Sequence, residues 1–584
     1  MKFAAGALFA ILLGAGCATV ASPPAAGPEA SDPPRRVVTT RPRDVAAEAY
    51  YHYTVALMHA QAGRFQEAVP AAREAIKRDP DSAFLWTQLA RWLVRVDEPG
   101  EAIEAAKKAV ALAPDEVRPH VTLAELLRAA KRWPEAEAEL EKVIALSPEA
   151  EEPYLTLARY QVEQKAYGRA RAVLLRLAER HPRNAQAQFL LGRLAIETES
   201  WDEALTRLRR AVELDPDQDG AWTALGYVYE SQRRGDEAVA MYRSAAQANP
   251  DNPAFVERLA DLLIRLGRLG EAESEVERLT ELAPRDPRVW LKLGAVRYEQ
   301  KQWDGAIDAF RRVVLLDPTN LRARFYLATT YMDAGRDEEA QAELERILRA
   351  DPRSIDARVQ LGFLHGRAKR YEQATAVLQE AVNLDPKRPE LFLYLGTALA
   401  RGKDYDRAAR ALLEGLSLDD SHKDLHFQLG VVYEKQQRFD DAVQAFRRVI
   451  ALDPKHAEAY NYVGYMYAER GENLDEAIEL IKKALALEPD NGYFIDSLGW
   501  AYYQKGRYGD ALRELKRAVA HAKEDPVIFE HLGDAYLKNG LEEDALTAWE
   551  QALKLDPSAD GVRKKIADLR ARRRLQGERS KASQ

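Results

Sequence analysis

Residues Gly220–Asn252 read GAWTALGYVYESQRRGDEAVAMYRSAAQANPDN. Trp222, Leu225, Gly226 and Tyr229 fall at spacings of three and four, which put them on one stripe of a helix. Ala238 and Tyr242 begin a second such stripe, and Pro250 closes it. Ala238 also belongs to a row that starts Ala68, Ala102, Ala136 and runs in steps of 34 to Ala442. One step of 35 reaches Ala477, and steps of 34 resume with Ala511 and Ala545, fifteen alanines in all. A fixed period of this size is the mark of a repeat array, and it outranks any local propensity.

Two further columns hold the same register. Twelve residues before each alanine stands Ala or Gly (Ala56, Ala90, Gly226, Gly294, Gly533), thirteen before in the long repeat, where it is Gly464. Twelve residues after it comes Pro in thirteen repeats of fifteen, with Asp420 and Lys523 as the exceptions. The pattern resembles the tetratricopeptide repeat, W-x2-L-G-x2-Y, then A-x3-F, then P. The resemblance implies an all-α fold, an α-solenoid in which about fifteen helix pairs form a right-handed superhelix.

Position by position, residues 4, 7, 8 and 11 form the apolar stripe of the first helix, and 20, 24 and 27 that of the second. The small residues at 8 and 20 mark the helix crossing, where a larger side chain would force the backbones apart. One pair cannot bury both its faces, so the pairs must stack. Residues 49–559 accommodate fourteen repeats of 34 and one of 35, read as one continuous solenoid. The extra residue falls in the turn Gly471-Glu472-Asn473-Leu474 of the thirteenth repeat, away from any stacking face.

Residues 1–16 have Lys2 at the start and an apolar run from Phe3 to Leu13, too short to span a bilayer, and read as a secretory signal. The run ends Leu13-Gly14-Ala15-Gly16-Cys17, which resembles the lipobox of bacterial lipoproteins, although Gly14 stands where that family has Leu. The resemblance implies that Cys17, the single cysteine of the chain, carries lipid; the alternative is an ordinary signal with an incidental cysteine. Ala18 is not the Asp associated with inner-membrane retention, so the outer membrane, periplasmic side, is expected, with a soluble periplasmic protein as the alternative. Residues 17–48, rich in Ala, Pro and Ser, read as a disordered tether.

After the last repeat, Val562, Ile566 and Leu569 lie at helical spacing, and residues 560–576 read as a capping helix, with 577–584 a disordered basic tail. From Gly561 to Gln584 nine Lys or Arg against two acids give +7, so the remainder of a chain of net charge −8 carries −15. The basic end complements the helix dipole or meets an anionic lipid or polysaccharide. The export signal argues against nucleic acid.

No phosphate-binding glycine loop, paired-cysteine metal motif, HExxH or GxSxG occurs in the chain. His422 and His426 are four apart, yet one falls in an inter-repeat turn and the other at packing position 4. The chain is read as no enzyme, with no catalytic residue, metal, cofactor or small-molecule ligand.

A second stripe on the first helix, positions 2, 5, 9 and 12, lines the concave groove where this family holds partner segments. Position 5 is never Lys and position 9 never Asn, so the family's chaperone-tail clamp is not expected. Much of column 5 is apolar, as in Leu393 and Phe427, and either packs first helices together or faces a partner. Of nine tryptophans only Trp500 occupies a groove position. Tyr465, Tyr493 and Tyr503 lie around it, with Asn461, Asp496, Glu530 and Asp534 at the edge. An aromatic cluster with polar groups at its rim has the make-up of a binding hot spot; the alternative is that Trp500 fills the space between first helices. Two functions stay open: a membrane-anchored scaffold that binds the proteins of an envelope machine (a pilus, secretion, export or cell-wall complex), or direct capture of a polysaccharide or peptide in the groove.

Overall fold

The computed structural model describes residues 43–582, with side chains from 45 to 575. The signal, Cys17 and the tether up to residue 42 lie outside the described residues. Among the described residues there are 31 α-helices and no strand, which makes fifteen pairs and one terminal helix, Asp560–Ala582. The fold is an α-solenoid of the expected register. In the third repeat, for example, Val117–Ala129 pairs with Trp133–Leu146. Contacts divide the described residues into two compact units, the first ending at Val289 and the second beginning at Trp290. Within each unit a first helix packs on its own second helix and on the next pair.

All fifteen column alanines are fully buried. The crossing they mark has a definite partner. A Cβ added to Gly294 would stand 2.5 Å from the Phe310 ring, and one on Gly226 would stand 2.5 Å from Tyr242 Oη. Position 8 therefore abuts position 24, one turn beyond the alanine. Four repeats carry an aromatic ring at 24 (Tyr242, Phe310, Phe446, Trp549), and each faces a glycine at 8. Where position 8 is Ala, as at Ala56, Ala124 and Ala260, position 24 holds nothing larger than Leu: Ala72, Leu140 and Val276. The two columns share a fixed volume, as close packing requires.

The turn between the helices of each pair has its own rule. Position 15 is left-handed in all fifteen repeats, from Gly63 (φ 74°) through Lys131 (φ 58°) and Lys301 (φ 59°) to Gly540 (φ 76°). It closes a helix with paired bonds, such as Arg132 N–H to Leu127 O at 2.8 Å and Lys131 N–H to Arg128 O at 2.9 Å, which satisfy the last carbonyls. In the thirteenth repeat the extra residue is absorbed here, with Gly471 at φ 68° and Asn473 at φ 46°.

Position 4 clasps one pair to the preceding one. Trp86 Nε1 donates to Pro80 O at 2.9 Å, and Trp222 Nε1 to Pro216 O at 2.8 Å. His426 Nε2 sits 2.9 Å from Asp420 O in the same way, which leaves that histidine to structure. Where Asp420 and Lys523 replace the proline, the second helix still ends at Leu418 and His521, the same position of the repeat. The stacking, and not the proline alone, sets the helix end.

Two boundaries differ from the sequence reading. The first helix is Arg43–Gln61, so it takes up the last six residues read as tether; Ala46, Ala47, Glu48 and Ala49 are strong helix formers. The terminal helix continues to Ala582 through the stretch read as a disordered tail, where Glu578, Arg579, Lys581 and Ala582 favour helix.

Candidate functional site

Three first helices of the second unit, Ala457–Arg470, Gly492–Gln504 and Pro526–Lys538, carry the aromatic cluster. Each start is fixed locally. Asn491 Oδ1 accepts from Tyr493 N–H at 3.1 Å, and Asp525 Oδ1 accepts from Val527 N–H at 2.8 Å, with Pro526 opening the helix. Positions 5 and 9 of the three repeats then form two rows: Asn461, Asp496, Glu530 and Tyr465, Trp500, Asp534.

The structure brings Trp500, Tyr503 and Asp496 together around a residue that the groove reading passed over, His531. The Trp500 ring lies parallel to His531 at 4.1 Å between centroids and 14°, and to Tyr503 at 4.9 Å and 6°. His531 Nδ1 is 3.0 and 3.1 Å from the two carboxylate oxygens of Asp496, and both side chains are buried. Burial pushes the imidazole toward its neutral form. The charge and hydrogen bond of Asp496 outweigh it, with Asp534 and Glu469 adding, so the ring holds its proton above the usual histidine range. Trp500 is half-buried between first helices, stacked on His531 and Tyr503, and its Nε1 is enclosed without a hydrogen-bond partner.

The remaining groups split into two sets. Glu530 and Asp534 face the terminal helix, where Lys565 Nζ donates to Glu530 Oε1 at 2.8 Å and to Asp534 Oδ2 at 2.6 Å. Trp549 Nε1 donates to the other Asp534 oxygen at 3.1 Å. Burial raises the Asp534 pKa against the opposing Lys565. Tyr503 is pushed up to about 12, first by burial and then by the negative Asp534. Tyr465 is raised by burial and by Glu469 and Asp496. Asn461 Oδ1 is buried with no partner. Tyr493 stands apart from the stack, two turns back along the helix, and is 60% exposed. His531 was legible as the residue beside Glu530, but at position 6 nothing in the groove stripe singles it out.

A second place on the same kind of face was not foreseen as a whole. A cavity of about 300 Å³ opens between Gly362, Phe363, Leu393, Tyr394, Arg401 and Phe427. Phe363 is 43% exposed and meets Tyr394 edge-on at 5.0 Å. Gly366 forms part of its wall, and a Cβ there would touch nothing. Leu393 and Phe427 belong to the apolar column 5; Phe363 sits at position 9, as Trp500 does, and that shared position was the available signal. Among the described residues no group of three or more His, Cys, Asp or Glu is placed to hold a metal ion, and no helix is long and apolar enough to cross a membrane.

Tetratricopeptide repeat models match the chain at residues 155–218, 193–253, 359–422, 427–492 and 497–560, and a second such model at 229–295 and 297–362. A domain of unknown function, DUF7017, matches residues 49–172. No curated protein matches the chain. Among solved structures, the APC/C hetero-tetramer Cut9-Hcn1 is similar at 14% identity, covering 88% of this chain and 98% of that one, with a TM-score of 0.37. A tetratricopeptide repeat protein from Parabacteroides merdae is 15% identical over 43% of this chain and 98% of its own, TM-score 0.37. Yeast Tom70 is 15% identical over 82% and 98%, TM-score 0.34.

Proposed function

The chain belongs to the tetratricopeptide repeat family, a family of protein-binding scaffolds, and from that premise we propose a scaffold anchored by lipid on Cys17 to the outer membrane and facing the periplasm. There it gathers the proteins of an envelope machine. The anchor rests on the lipobox-like Leu13–Cys17 and the single cysteine. The partner surface is the first-helix face of repeats thirteen to fifteen. One observation carries it: exposed Tyr493 shares a helix with the Trp500 stack, and the buried Asp496 lies between them on that helix. Large rings beside polar groups are what protein hot spots are built from.

Capture from detergent-solubilised envelope, with the full chain as bait, tests the reading. One envelope protein retained in stoichiometric amount supports it, and elution by free glycan favours polysaccharide capture instead. Tyr493→Ser is the informative variant because Tyr493 is 60% exposed. It should weaken capture by about tenfold or more, the loss of a ~2 kcal/mol anchor, and leave the melt unchanged. Full capture by Tyr493→Ser together with loss in Phe363→Ser would move the site to the cavity of repeats ten to twelve. Metabolic labelling with a radioactive fatty acid tests the anchor, and a wild type that takes up no label refutes it.

A further inference from the structure

We propose that His531 is the positioning residue of the aromatic face: its proton holds the seam between the fourteenth and fifteenth repeats closed, and its loss loosens Trp500. The proposal rests on the docking reading only in making Trp500 part of a partner surface; the seam itself is independent of it.

The geometry is that of a buried ion pair across a repeat boundary. Asp496 lies on one first helix and His531 on the next, 35 residues later, each less than a tenth exposed. Trp500 covers one face of the imidazole, 4.1 Å away between ring centroids. The surroundings are negative from several directions: Asp496 from Gly492–Gln504, Glu469 from Ala457–Arg470, Glu530 and Asp534 from His531's own helix. The terminal helix supplies one cation, Lys565, and it is engaged by Glu530 and Asp534. Tyr465 and Tyr503 are held protonated well above neutrality, so they add no charge. The imidazolium is therefore the group that balances Asp496. Without its proton the seam encloses a carboxylate facing a neutral ring, and enclosing an unbalanced charge is costly. Opening the seam to water relieves that cost and removes the surface on which Trp500 rests.

The direction follows from linkage. The folded-state pKa lies above the ordinary histidine value, so the stabilisation is fully present below about pH 6.5 and is lost as pH rises through the folded value. The face is ordered in mildly acidic conditions and loosens in alkaline ones.

Tryptophan emission of the full chain reads this directly. The difference between wild type and Trp500→Phe isolates Trp500 from the other eight tryptophans, and an imidazolium stacked on indole quenches it. Between about pH 5 and 9 the difference signal should rise in one step with its midpoint above the usual histidine value. Asp496→Asn keeps the hydrogen-bonding shape and should move the midpoint to lower pH. His531→Gln should abolish the step, with unchanged far-ultraviolet circular dichroism showing that the helices remain. Amide exchange over Gly492–Gln504 should quicken across the same pH range. A step that survives His531→Gln, a midpoint unmoved by Asp496→Asn, or no step in the wild type overturns the proposal. None of these readouts needs a partner, so a docking site found elsewhere leaves the result on the seam standing.

Discussion

At the scale of single residues, two columns of this repeat use glycine for different reasons, and substitution separates them. At position 8 the constraint is space. Gly533 sits against the Trp549 ring, 1% exposed, which has no room to withdraw, whereas Gly362 faces the flexible end of Leu378. Gly533→Ala should lower stability by ~1–3 kcal/mol in urea unfolding, and Gly362→Ala by clearly less. At position 15 the constraint is the backbone. A Cβ on Gly335 would meet nothing within 4 Å, yet its φ is 73°. Gly335→Ala should cost ~1 kcal/mol with no clash at all, and Lys301→Gly, at φ 59°, should stabilise by ~0.5–1 kcal/mol. The period alone found the first column, because small side chains in register are visible in the letters. It could not find the second: Lys, Asp, Glu, Arg, Gln and Gly all occupy position 15, and their common conformation is set by the turn and leaves no common chemistry.

At the scale of helices, the terminal one shows how an end is made safe. Val562, Ile566 and Leu569 close over Leu546, Trp549 and Ala552, a satellite core that the last pair lacks without it. Lys565 at the same time neutralises Glu530 and Asp534, so the helix seals an apolar face and an acidic one together. Leu569→Ala should cost ~2–5 kcal/mol locally. Hydrogen exchange should report it as lost protection in Pro526–Lys538 and Glu542–Leu555, with the second repeat unaffected. The cap was legible from three apolar residues at helical spacing. Its continuation to Ala582 was not, because a run of charges reads alike as an exposed helix or as loose chain. For the same reason the sequence located Trp500 on the groove stripe but not the Asp496–His531 pair. A hydrogen bond between successive first helices joins residues 35 apart, and no local pattern marks it.

For the whole molecule, a chain of stacked pairs has stability that is a sum over neighbours, so injury stays where it is made. Ala306 is fully buried at its crossing, and Ala306→Leu should cost ~1–3 kcal/mol. Denaturant unfolding followed by hydrogen exchange should show early opening around Trp303–Leu316 and undisturbed protection at Gly492–Gln504. Uniform loss across the chain would contradict the nearest-neighbour account. The exchange of volume between positions 8 and 24 bears on how such a gene can be shuffled. A recombination joint at an inter-repeat proline delivers each first helix with its own second helix, and every crossing stays filled. A joint in the turn between the two helices can instead join the Ala124 helix to the Trp549 helix, putting a methyl group where the indole needs a glycine. Crossover points are therefore unequal: lengthening or shortening of the array keeps every crossing filled at joints that take both helices of a pair from one parent, and fails at those that part Tyr242, Phe310, Phe446 or Trp549 from its glycine.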